Sequence, residues 1–263
     1  MSRTGISANG DTGPSVSVIL PVLNERGNLA KLLPRLTALS SEINLREVIC
    51  VDDGSVDGTL EYLREQSDSS APFDIVVISR SERLGQVSAC IVGAGLAKSE
   101  FVAVLDADLQ HPPETLVHMY AKIRTGFDVV SASRYVNLAQ VRRLPYRGLI
   151  SRGAMQLTHV LLKPSRLLTD PMSGFFLAKR NLVARLVPLS NRCKLLLYIL
   201  VTHRNVKVAE VPYGFQERTL GKSKTVGPDF SFILKFLIEV LTYFKMKDCD
   251  TRYISEPQPQ LTM

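Results

Sequence analysis

The sequence predicts an α/β fold in which a mostly parallel, Rossmann-like sheet is flanked by helices. Short apolar runs of strand length alternate with helix-like segments through the first half of the chain. This alternation is typical of βαβ units, whose strands lie parallel in one sheet. The chain has 263 residues, of which 45% are hydrophobic and 22% charged. These proportions suffice for one large α/β domain.

The first half of the chain predicts strands and helices in strict alternation. Each apolar run is followed by Pro, Gly, Asp or Ser, which commonly end strands. The first helix carries Leu29, Leu32, Leu33 and Leu36 at helical spacing. The predicted order is strand 15–20, helix 24–39, strand 47–51, helix 56–66, strand 73–79, helix 85–97, strand 101–105, helix 114–125 and strand 127–133.

The pattern changes after residue 134. An amphipathic helix is predicted over 147–163, because apolar residues recur there on one helical face. Shorter elements complete a domain that we expect to span residues 15–228. They are strand 175–178, helix 181–187, helix 194–202 and strand 206–213. We expect the polar termini, 1–14 and 248–263, to be disordered.

A second amphipathic helix is predicted over 229–247. Its apolar part, 230–244, is interrupted by Lys235 and Glu239, so it is too short and too charged to cross a bilayer. Two alternatives remain: the helix lies in a membrane interface, or it packs on the domain. Lys245 and Lys247 slightly favour the first alternative, a helix in the membrane interface.

Charge and cysteine content narrow the functional class. The net charge of +7 favours an anionic partner such as nucleic acid, anionic lipid or a phosphate substrate, with ordinary solubility as the alternative. No nucleic-acid-binding motif is present, so no nucleic-acid partner is expected. The four cysteines are scattered without a Cys-x-x-Cys pair, which indicates neither a zinc site nor a disulfide framework. With no signal peptide, we expect a reducing cytosolic setting.

The strand predicted at 101–105 runs directly into Asp106 and Asp108. Pro112 and Pro113 forbid its continuation, so these carboxylates lie where a buried strand leaves the sheet. Ligands of open α/β sheets bind at that edge. Two hard oxygen donors beside Gln110 suit Mg²⁺ or Mn²⁺, with a diphosphate completing the coordination. The alternative is that both aspartates are solvated turn residues.

Polar residues follow other predicted strands as well. These segments are Pro21-Val22-Leu23-Asn24-Glu25, Asp52-Asp53-Gly54-Ser55 and Ser133-Arg134-Tyr135. Together with 106–110, in this order and spacing, they resemble the family 2 glycosyltransferases with the GT-A fold. Longer segments at 104–114, 169–176 and 215–224 resemble those of the family members that glycosylate polyprenyl phosphates. Among these, the resemblance is greatest to the enzymes that transfer mannose to dolichyl phosphate. The resemblance covers roughly residues 15–242.

This resemblance implies a reaction and a set of site residues. The reaction is metal-dependent transfer of mannose from GDP-mannose to dolichyl or polyprenyl phosphate, with inversion. The metal, Mg²⁺ or Mn²⁺, would be held by Asp106, Asp108 and Gln110. The donor would contact Pro21, Asn24, Glu25, Asp52 and Asp53, and a basic loop with Arg218 and Lys224 would close over its diphosphate. The acceptor phosphate would contact Arg134, Arg147 and Ser151.

The family resemblance leaves several assignments open. Leu23 stands where the family often has Tyr, which puts base stacking in doubt. Asp170 and Ser173 either shape the sugar or acceptor pocket or form a structural turn. His111 is expected to be a turn residue rather than a catalytic base. Because the chain ends where some family members continue into transmembrane helices, we expect it to dock on the cytosolic membrane face or to recruit small anchoring subunits.

Other functions compete with this one. The nearest is transfer of glucose or an amino sugar from a UDP-sugar to the same lipid phosphate. A transferase acting on a polysaccharide is disfavoured, because Arg134 and Arg147 suit a phosphate and the Gln-x-x-Arg-Trp motif of processive polymerases is missing from a chain without Trp. A non-catalytic module that binds nucleotide-sugar is the alternative from a different class.

Overall fold

Seven strands form one sheet in the computed structural model, which describes residues 13–136, 156–187, 193–203, 205–214 and 241–243. Most strands are runs of β-branched and other apolar residues that end at Asp, Ser or Pro. The strands are β1 (Val16–Val22), β2 (Leu45–Asp52), β3 (Asp74–Ser79), β4 (Phe101–Val104), β5 (Val129–Ser133), β6 (Phe176–Lys179) and β7 (Val208–Pro212).

The helices of the described residues lie between these strands. They are α1 (Arg26–Leu39), α2 (Thr59–Ser67), α3 (Gln86–Leu96), α4 (Thr115–Ile123), α5 (Arg180–Ala184) and α6 (Leu195–Thr202), with a 3₁₀ helix at Lys163–Leu167. Residues 156–161 and 241–243 are also helical. None of the helices within the described ranges is long and apolar enough to cross a membrane.

The strand order is β3-β2-β1-β4-β6-β5-β7. The prediction of a mostly parallel sheet flanked by helices is confirmed: β1 pairs in parallel with β2 and β4, β2 with β3, and β5 with β7. After β3 the chain crosses to the far side of β1, so the strand order reverses between β1 and β4. A crevice at the carboxyl ends of these two strands is the expected ligand site of such a sheet.

One strand departs from the parallel pattern. β6 is antiparallel to both β4 and β5, and Phe176 at its start lies opposite Val104 and Ser131. Its first residues therefore lie at the carboxyl ends of β4 and β5. The segment before β6, which includes Asp170 and Gly174, is thereby brought to the same edge of the sheet as Asp106.

The core is continuous across both faces of the sheet. β4 is buried throughout, as expected for a strand covered on both faces. Helix α6 is buried along almost its whole length, which explains why its sequence lacks a polar face. Helix α3 packs closely on the sheet at Gly93, where an added Cβ would lie 2.7 Å from Cγ2 of Ile19.

The predicted helix at 147–163 ends earlier than expected. The described part is helical over 156–161 and then continues as the 3₁₀ helix. Pro164 explains the change, because proline offers no N–H and disfavours α geometry in the residue before it. Residues 147–155 lie outside the described part, as does most of the predicted helix 229–247. The predicted strand at 206–213 is shorter, Val208–Pro212.

Candidate active site

The turn after β4 is held in an unusual backbone conformation. Leu109 is buried and has a φ of 65°, a left-handed conformation that bulky residues rarely adopt. The N–H of Gln110 donates to Asp108 Oδ1 at 3.1 Å, and the N–H of Asp106 donates to His111 Nδ1 at 3.1 Å. Strained backbone of this kind is found where a site fixes the direction of its side chains.

Asp106 and Gln110 line a cavity of about 230 Å³. Asp108 is buried and is not among the described residues that line it. The polar lining comes from several separate elements of the chain: Gln86, Asp106, Gln110, His111, Arg134, Ser173, Lys194 and Tyr213. The cavity therefore collects a carboxylate, two cationic side chains and several hydrogen-bonding groups.

Asp106 is the carboxylate of this cavity. About a third of its side chain, 35%, is exposed there, and the Gln86 side-chain amide donates to its Oδ1. Burial raises the pKa of the Asp106 carboxyl, and Asp108 adds to the rise, while Lys194 and Gln86 oppose it. Burial therefore outweighs the compensation that the surrounding protein gives to the negative charge of Asp106.

His111 is fixed in orientation and tautomer. Its Nδ1 accepts a hydrogen bond from the backbone N–H of Asp106, so that nitrogen carries no proton. The 3.8 Å approach of the same nitrogen to Asp106 Oδ2 is therefore not an ion pair. The ring stacks on Phe175 and meets the edge of Tyr213, at centroid distances of 5.2 and 5.9 Å. These contacts hold His111 in the turn after β4, where its ring also lines the cavity.

Arg134 reaches the cavity from the end of β5. Its Nε and one terminal nitrogen donate to the two oxygens of Asp170 at 2.8 and 3.3 Å. Burial opposes the charge of Arg134, but Asp170 outweighs it, so the pKa of the guanidinium is raised. Asp170 is fully buried, and its charge is compensated by this fork. The pair fixes the plane of the guanidinium against the cavity.

Asp53 is the centre of a second cluster, at the end of β2. Its Oδ1 accepts from Arg80 at 2.7 Å and from the Leu84 N–H at 2.9 Å, and its Oδ2 accepts from the Gly85 N–H at 2.8 Å. Both partners of the Arg80–Asp53 pair are buried. Since Gly85 precedes Gln86, consecutive residues link Asp53 to Asp106. The two clusters are therefore joined at the start of α3.

The other predicted donor-site residues shape the ends of β1 and β2. Asn24 has a left-handed φ of 54°, and its Oδ1 accepts from the Val56 N–H at 2.8 Å. Glu25 accepts from the Asn28 side chain at 2.6 Å. Asp52 Oδ2 accepts from the Ser55 N–H at 3.1 Å, and its buried Oδ1 has no hydrogen-bond partner within the described residues.

The structure brings most of the described predicted site residues to one edge of the sheet. Pro21 lies next to the last residue of β1, and Asn24, Glu25, Asp52 and Asp53 follow or end β1 and β2, whereas Asp106, Gln110 and Arg134 line the cavity. The predicted positions outside the described residues are Arg147, Ser151, Arg218 and Lys224.

Sequence reasoning missed several residues of the site. They are Arg80, Gln86, Lys194, Glu210 and Tyr213. Arg80 directly follows β3, and its position at a strand end was the available signal. Lys194 precedes an apolar helix and Glu210 lies within a strand, so neither stood near a recognisable motif.

Comparison with known proteins supplies the family. Residues 17–186 match the model of glycosyl transferase family 2. The chain is 37% identical over 231 residues to a dolichol-phosphate mannosyltransferase of Pyrococcus furiosus, covering 87% of this chain and 64% of that protein. It is 33% identical over 241 residues to a dolichol-phosphate mannosyltransferase of Mycosarcoma maydis, covering 88% and 80%. The chain thus spans about two thirds of the Pyrococcus protein.

The fold is that of a solved glycosyltransferase. The glucosyl-3-phosphoglycerate synthase of Mycobacterium tuberculosis, solved with Mn²⁺, UDP-glucose and phosphoglyceric acid, superposes with a TM-score of 0.66 at 19% identity. The match covers 89% of this chain and 80% of that one. At this identity the likeness establishes the fold, and the predicted GT-A architecture is confirmed.

Proposed function

The chain belongs to glycosyl transferase family 2, and we propose that it transfers a mannosyl group from GDP-mannose to dolichyl phosphate or another polyprenyl phosphate, with inversion. One observation carries the proposal: Asp106 and Arg134 face the same cavity. A carboxylate suited to a cation and its diphosphate then lies beside a guanidinium suited to a phosphate monoester. This is the pairing that transfer between two phosphate-bearing substrates requires.

The donor side of the cavity fits a divalent cation. The charge of Asp106 is incompletely compensated by the protein, as its raised pKa indicates, and Gln110 presents an amide to the same space. A Cβ at Gly174 would lie 3.8 Å from Asp106 Oδ2, so the glycine places no side chain against this oxygen. No group of three His, Cys, Asp or Glu side chains is placed to hold a metal among the residues described. Donor phosphates would therefore complete the coordination, as is usual for Mg²⁺.

Asp106, Asp108 and Gln110 are the residues we propose for Mg²⁺ or Mn²⁺ binding. When bound, the cation supplies Lewis-acid stabilisation of the departing nucleoside diphosphate. We assign Pro21, Asn24, Glu25, Asp52 and Asp53 to the nucleoside. Arg218 and Lys224, which lie outside the described residues, are proposed to add positive charge over the diphosphate.

The acceptor needs positioning more than activation. A phosphate monoester has a second pKa of roughly 6 and is largely ionised near neutral pH, so it attacks with little help from a base. His111 is not suited to be that base through Nδ1, which already accepts from the Asp106 N–H. The protein must instead hold two mutually repelling phosphates in line. Arg134, with Arg147 and Ser151 outside the described residues, is proposed to hold the acceptor phosphate.

A lipid acceptor requires access to a membrane. Val160 and Leu167 are 68% and 52% exposed, and Lys163 and Arg166 lie between them in the chain. Exposed apolar side chains mixed with basic ones suit the boundary between lipid headgroups and acyl chains. These residues support membrane contact, and we propose that the enzyme works at the cytosolic face, held there peripherally or with small anchoring subunits.

A transfer assay tests the proposal directly. Purified protein is incubated with Mn²⁺ or Mg²⁺, detergent-dispersed dolichyl phosphate, and labelled GDP-mannose, UDP-glucose or UDP-N-acetylglucosamine in parallel. We expect the lipid to be labelled from GDP-mannose alone. A chelator should prevent this transfer, and adding the metal back should restore it. Asp106→Ala and Arg147→Ala are each expected to abolish transfer while thermal unfolding stays cooperative.

The outcomes separate the alternatives. Label from a UDP-sugar alone would replace GDP-mannose by another donor and leave the lipid acceptor standing. Nucleotide binding without transfer from any donor, in the presence of membranes and anchoring subunits, would favour a non-catalytic nucleotide-sugar module. Unchanged transfer by Asp106→Ala would remove that carboxylate from the proposed metal site.

A further inference from the structure

Glu210 makes an unusual set of hydrogen bonds from the edge strand β7. One carboxylate oxygen accepts from the Thr169 N–H at 2.8 Å. The other accepts from the Thr169 hydroxyl and from the Asp170 N–H, both at 3.1 Å. Three donors of one short segment therefore converge on a single carboxylate. The acceptor is ionic, which makes these bonds stronger than those between neutral groups.

The Asp170 end of this segment leads to the cavity. Glu210 accepts a hydrogen bond from the peptide N–H of Asp170. The two carboxylate oxygens of Asp170 in turn accept a bidentate pair of hydrogen bonds from Arg134. Arg134 lines the cavity beside Asp106. A change in the position of Thr169 and Asp170 would consequently rotate or shift the guanidinium.

The Thr169 end leads to the backbone of the same arginine. Thr169 donates its hydroxyl proton to Glu210, so the 2.7 Å contact between the Ser133 and Thr169 hydroxyls is donated by Ser133. Ser133 Oγ in turn accepts from the Tyr135 N–H at 3.1 Å. These two residues flank Arg134 in the chain. This chain of hydrogen bonds, which ends at Glu210, therefore fixes the backbone on both sides of Arg134.

We propose that Glu210 is a positioning residue, which orients Arg134 toward the acceptor phosphate through two routes, one by Asp170 and one by Thr169 and Ser133. This inference rests on the proposed function, in which Arg134 binds the phosphate of the lipid. Glu210 acts only through Arg134. A substitution of Glu210 is therefore expected to change the Michaelis constant of the phosphate acceptor and to leave the Michaelis constant of the nucleotide-sugar unchanged.

Asp128 provides a matched control at the opposite end of the same strand pair. It accepts the Lys207 N–H at 2.7 Å just before β7 and pairs with the Lys179 ammonium at 2.7 Å. Asp128→Asn therefore perturbs a carboxylate that also ties β7 to β5, far along the strands from the cavity. Glu210→Gln is the corresponding variant. It keeps the size of the side chain but replaces one acceptor oxygen by an NH₂ group that faces N–H donors.

The experiment measures the orientation of Arg134 and the kinetics in the same variants of the full chain. The Nε–H of Arg134, assigned in the ¹⁵N spectrum by its loss in Arg134→Lys, reports the Asp170 pair through its hydrogen-exchange rate. We expect Glu210→Gln to speed this exchange about tenfold or more and to raise the acceptor Michaelis constant by a similar factor, as for loss of a charge-assisted hydrogen bond. Asp128→Asn should change neither value.

Thr169 tests the second route. Thr169→Val removes the hydroxyl between Ser133 and Glu210, whereas Thr169→Ser restores it with nearly the same bonds. We expect Thr169→Val to raise the acceptor Michaelis constant and Thr169→Ser to resemble the unmodified protein. A merely structural role would lower the melting temperature of both Glu210→Gln and Asp128→Asn without separating the two substrates' Michaelis constants.

The results separate this inference from the proposed function. Unchanged Arg134 exchange in Glu210→Gln would overturn the positioning role, whatever the transfer rate. Faster exchange in a protein that transfers no sugar to any polyprenyl phosphate would uphold the positioning of Arg134 and refute the proposed function. Faster exchange with an equal rise in both Michaelis constants would overturn the specificity for the acceptor.

Discussion

The packing of α3 on the sheet predicts opposite effects for one substitution at two positions of the helix. At Gly93 an added Cβ would lie 2.7 Å from Cγ2 of Ile19, closer than non-bonded carbons approach. Ile19 is fully buried and branched at Cβ, so it has little freedom to move. At Gly95 an added Cβ would have no neighbour within 4 Å. Gly93→Ala and Gly95→Ala therefore share their chemistry and differ in space.

The expected magnitudes follow from two opposing effects. Overpacking a core costs about 1–3 kcal/mol, and replacing glycine by alanine within a helix gains roughly 0.5–1 kcal/mol. Gly93→Ala should therefore lower the free energy of unfolding by about 1–2 kcal/mol. Gly95→Ala, in the last turn of α3, should raise it by a few tenths. For a protein of this size the first effect corresponds to roughly 2–8 °C in melting temperature.

Urea unfolding followed by circular dichroism would measure both variants against the unmodified protein. Ile19→Ala removes the side chain that a Cβ at Gly93 would meet, so the double variant should be less destabilised than the sum of the single ones. A Gly93→Ala protein at least as stable as Gly95→Ala would refute the close approach of α3 to β1.

Other perturbations have equally definite expectations. Burial raises the pKa of Asp106, so the contribution of this carboxyl to stability is present at acid pH and is lost as the pH rises through the folded-state pKa. Asp106→Asn should therefore have a higher melting temperature than the unmodified protein at pH 7, and the difference should disappear at acid pH. A lower melting temperature of Asp106→Asn at pH 7 would contradict this. Arg134→Ala leaves Asp170 buried without its partner and should cost about 3–5 kcal/mol in urea unfolding, whereas the double variant Arg134→Ala/Asp170→Asn, which removes both charges, should cost less. Burial raises the pKa of the Cys50 thiol to about 12, so mass spectrometry after alkylation at pH 8 should find Cys50 unmodified in the native protein and modified in urea.

Local patterns predicted the elements of the first half because those elements follow simple rules. Strands β1 to β4 are apolar runs followed by residue types that commonly end strands. The helices between them have apolar residues at helical spacing. The sequence predicts that Pro21 ends the first strand, but Pro21 lies within β1, where Leu20 and Val22 pair with β2. Tertiary pairing there outweighs the local preference of proline.

The site was predicted less completely than the fold, and the reason is topological. Asp106 and Gln110 follow a strand in sequence, so their place at the sheet edge could be inferred from the strand alone. Asp170 and Gly174 reach the same edge only because β6 runs antiparallel between β4 and β5. Nothing in the residues of 175–178 specifies that direction. Lys194 and Tyr213 likewise depend on where later elements pack.

The contacts that hold Arg134 illustrate what this topology makes possible. A cationic side chain at a strand end is flexible by itself, and binding a phosphate would then require ordering a long side chain. Here Asp170, at the start of the connection into β6, holds the arginine directly, and Glu210, on the edge strand β7, holds Asp170. Both carboxylates reach β5 because β6 and β7 are its two neighbours in the sheet. The antiparallel direction of β6 thus supplies a preorganisation that an entirely parallel sheet would lack.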